Sequence, residues 1–177
     1  MKKNNAGFSL IELLVVVAIM AILMAGVVLT VLSAPSYNVK KAVEQIDDAL
    51  TETRVQALSK TDAWMEIKYD STAKKYQIVT SYGSTISLSG KMDILYTTKD
   101  DPTTEVRVDA QPLVLSYDRS SGAFTPLIKD SSLSGTREYY TVSSTEDMYC
   151  DTILVKTDTK NYIFTLYKAT GRHEVSK

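Results

Sequence analysis

Cysteine and histidine are almost missing from this sequence of 177 residues, each occurring once, as Cys150 and His173. A lone cysteine cannot close an intrachain disulfide, so an exported domain has to hold together by packing alone. Cys150 reads as a small buried hydrophobe. His173 has no cysteine or second histidine beside it, which argues against a zinc site and against histidine-based acid-base chemistry. Positive charge is not in excess either: the formal net charge is −1 and charged residues make up 23% of the chain, so no basic field invites nucleic acid. Nothing resembles a phosphate loop, a nucleophile elbow or a paired-carboxylate site that can be placed. The chain is therefore expected not to be an enzyme and to need no cofactor and no metal. Asp100, Asp101 and Glu105 make an acidic loop, but their spacing lacks a coordination pattern for calcium, and the loop reads as a solvated turn.

Proline is absent before Pro35, and so is nearly all charge. From Phe8 to Leu32 the chain is apolar for about 25 residues, long enough to cross a bilayer as a helix. Glu12 is the one charge inside this run. Lys2 and Lys3 precede it and no basic cluster follows before Lys40 and Lys41, which orients the amino terminus to the cytoplasm and the remainder outward. An ordinary secretory signal fits poorly, because the run is long for such a core and carries a carboxylate near its start. The best small-residue site, Ser33-Ala34, also has bulky Leu32 at its third-last position. A plain single-pass anchor satisfies length and polarity equally well.

What separates the two is the run Gly7, Phe8, Ser9, Leu10, Ile11, Glu12 behind a short polar leader containing Lys2 and Lys3. In these residues the chain resembles the type IV prepilin family. The resemblance implies that a prepilin peptidase cuts between Gly7 and Phe8, that Phe8 becomes the N-methylated mature terminus, and that Glu12 is the family's fifth-position glutamate. Loss of Lys2 and Lys3 with that leader would take the formal charge to −3. Physical chemistry gives Glu12 a reason of its own. A carboxylate inside a membrane helix costs about 2.5–3.5 kcal/mol, and a new amine on Phe8, about 6 Å away along the axis, could offset it within one subunit or between neighbours. Local stabilisation by the helix dipole is the competing explanation.

Beyond Pro35 the pattern turns amphipathic. Val39, Val43, Ile46, Leu50, Thr53 and Ala57 recur at spacings of three and four, as one face of a helix that continues from the apolar run. Pro35 is the expected kink and Gly26 the expected internal weak point. After Lys60 the period becomes two. Met65, Ile67 and Tyr69 alternate with polar partners and lead through a turn into Tyr76 to Ser81, a hairpin; further strands are expected at Ile86–Leu88, Asp93–Tyr96, Glu105–Asp109, Leu113–Tyr117, Phe124–Ile128 and Tyr139–Val142. The clearest hairpin joins Thr152–Lys156 to Tyr162–Lys168. The expected fold is α+β, a long amino-terminal helix packed against an antiparallel β head built as a small two-sheet sandwich. Its parts are a leader at 1–7, a transmembrane and assembly helix at 8–32, an amphipathic continuation at 33–60 and a β-rich head at 61–177.

Three short segments narrow the resemblance: Ala49, Leu50, Arg54, Ala57 and Leu58; the turn Tyr117-Asp118-Arg119-Ser120-Ser121-Gly122; and Thr170-Gly171-Arg172. They are similar to the H-type minor pseudopilins of type II secretion and related minor pilins. The implied function is that of a structural subunit of a type IV pilus-like filament serving as a pilus, in secretion or in DNA uptake. The resemblance also implies storage single-pass in the cytoplasmic membrane, amino terminus inside, followed by assembly at the cell surface. The implied partners are other pilin subunits, prepilin peptidase, an inner-membrane assembly platform and, before assembly, the lipid bilayer, with no direct contact to nucleic acid. The competing class is a membrane-anchored adhesin or binding module that never polymerises.

Overall fold

The apolar positions spaced three and four apart do form one helical face. In the computed structural model, α1 runs Leu10–Leu58 and stays helical through both Gly26 and Pro35. The structure describes residues 10–59, 62–89, 91–129, 138–143 and 146–177, with the side chains of 24–36 and 143 outside that description. It contains two compact units, Met1–Tyr37 and Asn38–Lys177. In the second, Val39, Val43, Ile46, Leu50, Thr53 and Ala57 are all buried, joined by Ala42 and Ala49. Lys40, Lys41, Glu44, Asp48 and Glu52 lie on the remaining surface of the helix, outside the core. The Thr53 hydroxyl sits among apolar groups because it donates to the Ala49 carbonyl one turn back, at 2.7 Å.

Among the described residues the head holds two antiparallel sheets and a small ribbon. The first has the order β3-β2-β1-β6, with β1 at Trp64–Asp70, β2 at Lys75–Thr80, β3 at Thr85–Ser87 and β6 at Leu113–Ser116. The second sheet is built from β4 (Asp93–Thr98), β5 (Val106–Arg107), β9 (Cys150–Lys156), β10 (Asn161–Tyr167) and β11 (Arg172–Ser176), in the order β11-β10-β9-β4-β5. A two-stranded ribbon pairs β7 (Thr141–Ser143) with β8 (Glu146–Asp147). Register explains the core. Ile67 faces Ile78 across β1–β2 and Leu113 across β1–β6, while Phe164 faces Ile153 across β10–β9 and Tyr96 faces Ile153 across β4–β9. These side chains join Ile46 and Leu50 of α1 in one buried cluster, so the helix and both sheets share a core.

Two strand expectations need correction, and two strands, β8 and β11, have no counterpart in the sequence reading. Phe124–Ile128 is not a strand: only single bridges occur, Tyr117 with Phe124 and Ile128 with Tyr139. Pro126 lies in the middle and has no amide hydrogen to give to a ladder. Glu105–Asp109 shrinks to the two residues of β5. In the other direction, Arg172–Ser176 forms β11, paired with β10 from Ile163↔Ser176 to Tyr167↔Arg172. It is a polar edge strand, whose outer side needs no apolar alternation.

Candidate functional site

The site indicated by the sequence begins at the amino terminus. Gly7 and Phe8, the expected cleavage pair, lie outside the described residues. Glu12 falls in the first turn of α1, where a carboxylate is favoured by the unsatisfied amides and the positive end of the helix dipole. It is surrounded by exposed apolar side chains. Leu10, Ile11, Leu13, Leu14, Val15, Val16, Val17, Ile19, Met20, Ile22 and Leu23 are all at least 48% exposed, a density of bare hydrocarbon that water does not tolerate without a covering partner. Among the described residues no helix is long and apolar enough to cross a membrane. Of the span expected at 8–32, residues 8 and 9 and the side chains of 24–32 lie outside the description.

The second element of the site is the anchorage that ties α1 to the head. The three segments singled out in the sequence meet at one side chain, Arg54. Its Nε donates to the Gly122 carbonyl at 3.2 Å and its Nη2 to the Thr170 carbonyl at 2.8 Å. Gly122 ends the turn after β6 and Thr170 sits in the turn between β10 and β11, so one planar guanidinium binds the helix to both sheets at once. Close packing here depends on glycine. Gly122 and Gly171 take φ of +68° and +63°, a region that L side chains rarely enter, and a Cβ on Gly171 would overlap the Gly122 carbonyl oxygen. Tyr117 reinforces the contact: its hydroxyl donates to the Leu50 carbonyl at 3.1 Å and its ring packs on Phe124 with centroids 4.6 Å apart. Burial pushes that phenol well above the ordinary tyrosine range. Nearby, His173 Nε2 lies 2.8 Å from Asp47 Oδ1, which fastens β11 to the helix. The only histidine is thus a structural contact, one that no local pattern in the sequence announced.

The turn Tyr117 to Gly122 is held by one carboxylate. Asp118 Oδ1 accepts from the amides of Ser120 and Ser121 and from both of their hydroxyls, at 2.6–3.1 Å. These donors hold the Asp118 carboxyl far below the usual carboxylate range. The acidic loop behaves alike. Asp101 Oδ1 accepts from the Thr103 amide and hydroxyl and the Thr104 amide, and bonds from those two threonines draw its pKa down from 3.8 to about 2. Glu105 is paired with Lys156, and among the described residues no cluster of His, Cys, Asp and Glu could hold a metal ion. Cys150 is buried in the core, where desolvation raises its thiol far above the ordinary value.

A pH prediction follows with a definite sign. Each of these two carboxyls has a folded pKa below its unfolded one, so its contribution is present above the unfolded value and is lost as pH falls through the folded value. For Asp101 that window runs from 3.8 down to about 2. A variant carrying Asp101→Asn and Asp118→Asn is expected to show a shallower fall in Tm between about pH 5 and pH 2 than the parent chain. Superimposable acid-side melting curves would contradict the assignment.

Residues 2–33 match the family model described as the prokaryotic N-terminal methylation motif. No curated protein and no solved structure matches the chain. The matched segment contains Gly7, Phe8 and Glu12 together with the exposed apolar side chains from Leu10 to Leu23, so the chain carries a prepilin-type methylation motif, and that motif supports a place among the type IV pilin and pseudopilin proteins.

Proposed function

We propose that this chain is a structural subunit of a type IV pilus-like filament, assembled through its amino-terminal helix. The observation that carries the reading is the methylation motif running directly into exposed apolar helix. Before assembly, residues 8–32 are stored across the cytoplasmic membrane with the amino terminus inside. Prepilin peptidase removes residues 1–7 and methylates Phe8. The helix then exchanges lipid for neighbouring subunit helices, and the 61–177 head faces outward on the spine formed by 33–60. Chemistry is done to this protein and not by it: the filament role asks for no catalytic group, cofactor or metal.

Within that class we favour a minor pilin or pseudopilin. The support is that the segments similar to H-type heads, although far apart in sequence, meet at Arg54 and there join helix to sheets.

Processing is tested by intact mass spectrometry of the exported protein. The expected species lacks Met1 to Gly7 and carries one additional methyl group on Phe8. A mature protein that still begins at Met1 would remove the filament reading and leave a plain membrane anchor.

A further inference from the structure

An open cleft of about 500 Å³ lies in the head, where the β1–β2 hairpin of the first sheet approaches β4, β5 and the β9–β10 hairpin of the second. It lies wholly within Asn38–Lys177 and owes nothing to the amino-terminal motif. One wall is aromatic. Tyr76 is buried, and Tyr69 stands edge to face against it with ring centroids 5.0 Å apart, leaving part of the Tyr69 ring open to solvent. A ring fixed by its neighbour offers a flat apolar surface whose negative π face suits the weakly positive C–H face of a sugar.

The lining also contains a preset polar network. Arg107 donates from Nη2 to Asp93 Oδ1 at 2.9 Å and from Nε to Asp109 Oδ1 at 3.0 Å. These bonds fix both carboxylates in place while their other lone pairs remain able to accept from hydroxyl groups. Lys74, Lys75 and Lys91 also line the cleft and take part in no ion pair among the described residues. Lys74 sits at φ +52°, a left-handed conformation that glycine or asparagine usually fills. Asp70 holds that turn by accepting from the amides of Thr72 and Ala73, so the Lys74 side chain is presented at the rim by a fixed backbone.

We propose that this cleft binds an acidic glycan, an oligosaccharide bearing carboxylate groups. Tyr69 stacks on a sugar ring, Asp93 and Asp109 accept from its hydroxyls, and Lys74, Lys75 and Lys91 take the carboxylates. What separates this ligand from single-stranded DNA is its free hydroxyls: the sugars within a DNA strand carry none, so Asp93 and Asp109 would face phosphates with no sugar hydroxyl to accept from, whereas each ring of a glycan supplies several.

The test is calorimetric titration of the full chain in micelles of an uncharged detergent. The probes are oligogalacturonate, hyaluronate oligomers, a neutral dextran oligomer and a single-stranded oligonucleotide of similar length. At least one of the two carboxylated glycans is expected to bind, more weakly as salt rises, while dextran and the oligonucleotide do not. Tyr69→Ala, and separately the triple variant Lys74→Ala, Lys75→Ala, Lys91→Ala, are each expected to weaken that binding about tenfold or more. Lys129→Ala, which lies outside the cleft, is expected to leave it unchanged, and an unaltered thermal melt shows that each variant is folded. Failure of both acidic glycans to bind, equal binding of the oligonucleotide, or full affinity in the triple variant would each overturn the proposal.

Discussion

Replacing Glu12 by Ala is expected to leave the chain in the membrane and to stop it joining a filament. Insertion should not suffer, because the substitution removes a carboxylate whose placement in hydrocarbon costs about 2.5–3.5 kcal/mol. Assembly should suffer because, on the proposed reading, the amine of a processed Phe8 meets the Glu12 carboxylate of a subunit already in place. With the acid gone, each incoming subunit carries an uncompensated cation into an apolar bundle. Removing one partner of a buried pair costs about 3–5 kcal/mol, so incorporation alongside wild-type subunits should fall by at least about two orders of magnitude. Glu12→Gln should behave like the alanine variant, since it keeps shape and loses charge. Carbonate extraction reports insertion, and the variant's abundance in sheared filaments reports assembly. Normal incorporation of both variants would show that the carboxylate serves only the local helix terminus, where the dipole already favours it.

How much of this was legible in the sequence follows from the range of the interactions concerned. The buried face from Val39 to Ala57 could be read because helical periodicity is written in residues three and four apart, and the same holds for the β1–β2 and β9–β10 hairpins. The processing motif is likewise local, a matter of residue type and spacing around Gly7, Phe8 and Glu12, of which only Glu12 is among the described residues. Sequence and structure part where local pattern and ladder geometry disagree. Phe124 and Ile128 are buried like strand residues, yet Pro126 between them cannot donate to a neighbour. β11 shows the reverse, since Arg172, His173 and Glu174 look like loop and pair as a strand because β10 supplies the template. Arg54 is the hardest case. Its acceptors stand 68 and 116 residues away in the chain, so the sequence could expose three resembling fragments but not that one side chain joins them.

That junction makes Gly171→Ala the substitution with the largest expected effect on stability. Among the described residues, three glycines with positive φ form a graded series. Gly83 takes φ +86° with no atom within 4 Å of the place an alanine methyl would occupy, so alanine there meets backbone strain alone, about 1–2 kcal/mol. At Gly122 the strain is joined by contacts of 3.2 Å to Leu58 Cδ2 and 3.3 Å to Arg54 Nε, both on side chains that can yield. At Gly171 the obstacle is the Gly122 carbonyl, a backbone group that also accepts from Arg54. It can move only if the turn after β6 withdraws from the guanidinium, and a hydrogen bond to a charged group contributes about 1.5–3 kcal/mol. Strain and the broken contact together place Gly171→Ala at roughly 4 kcal/mol, a loss on the order of 10 °C in Tm for a chain of this size. Thermal melts should therefore rank the losses Gly171→Ala, then Gly122→Ala, then Gly83→Ala. Arg54→Lys should fall near Gly122→Ala, because an ammonium on a flexible stem cannot hold two carbonyls with one rigid fork. Equal losses at Gly83 and Gly171 would mean that the two turns are not pressed together, and that the helix is fastened to the head by its apolar face alone.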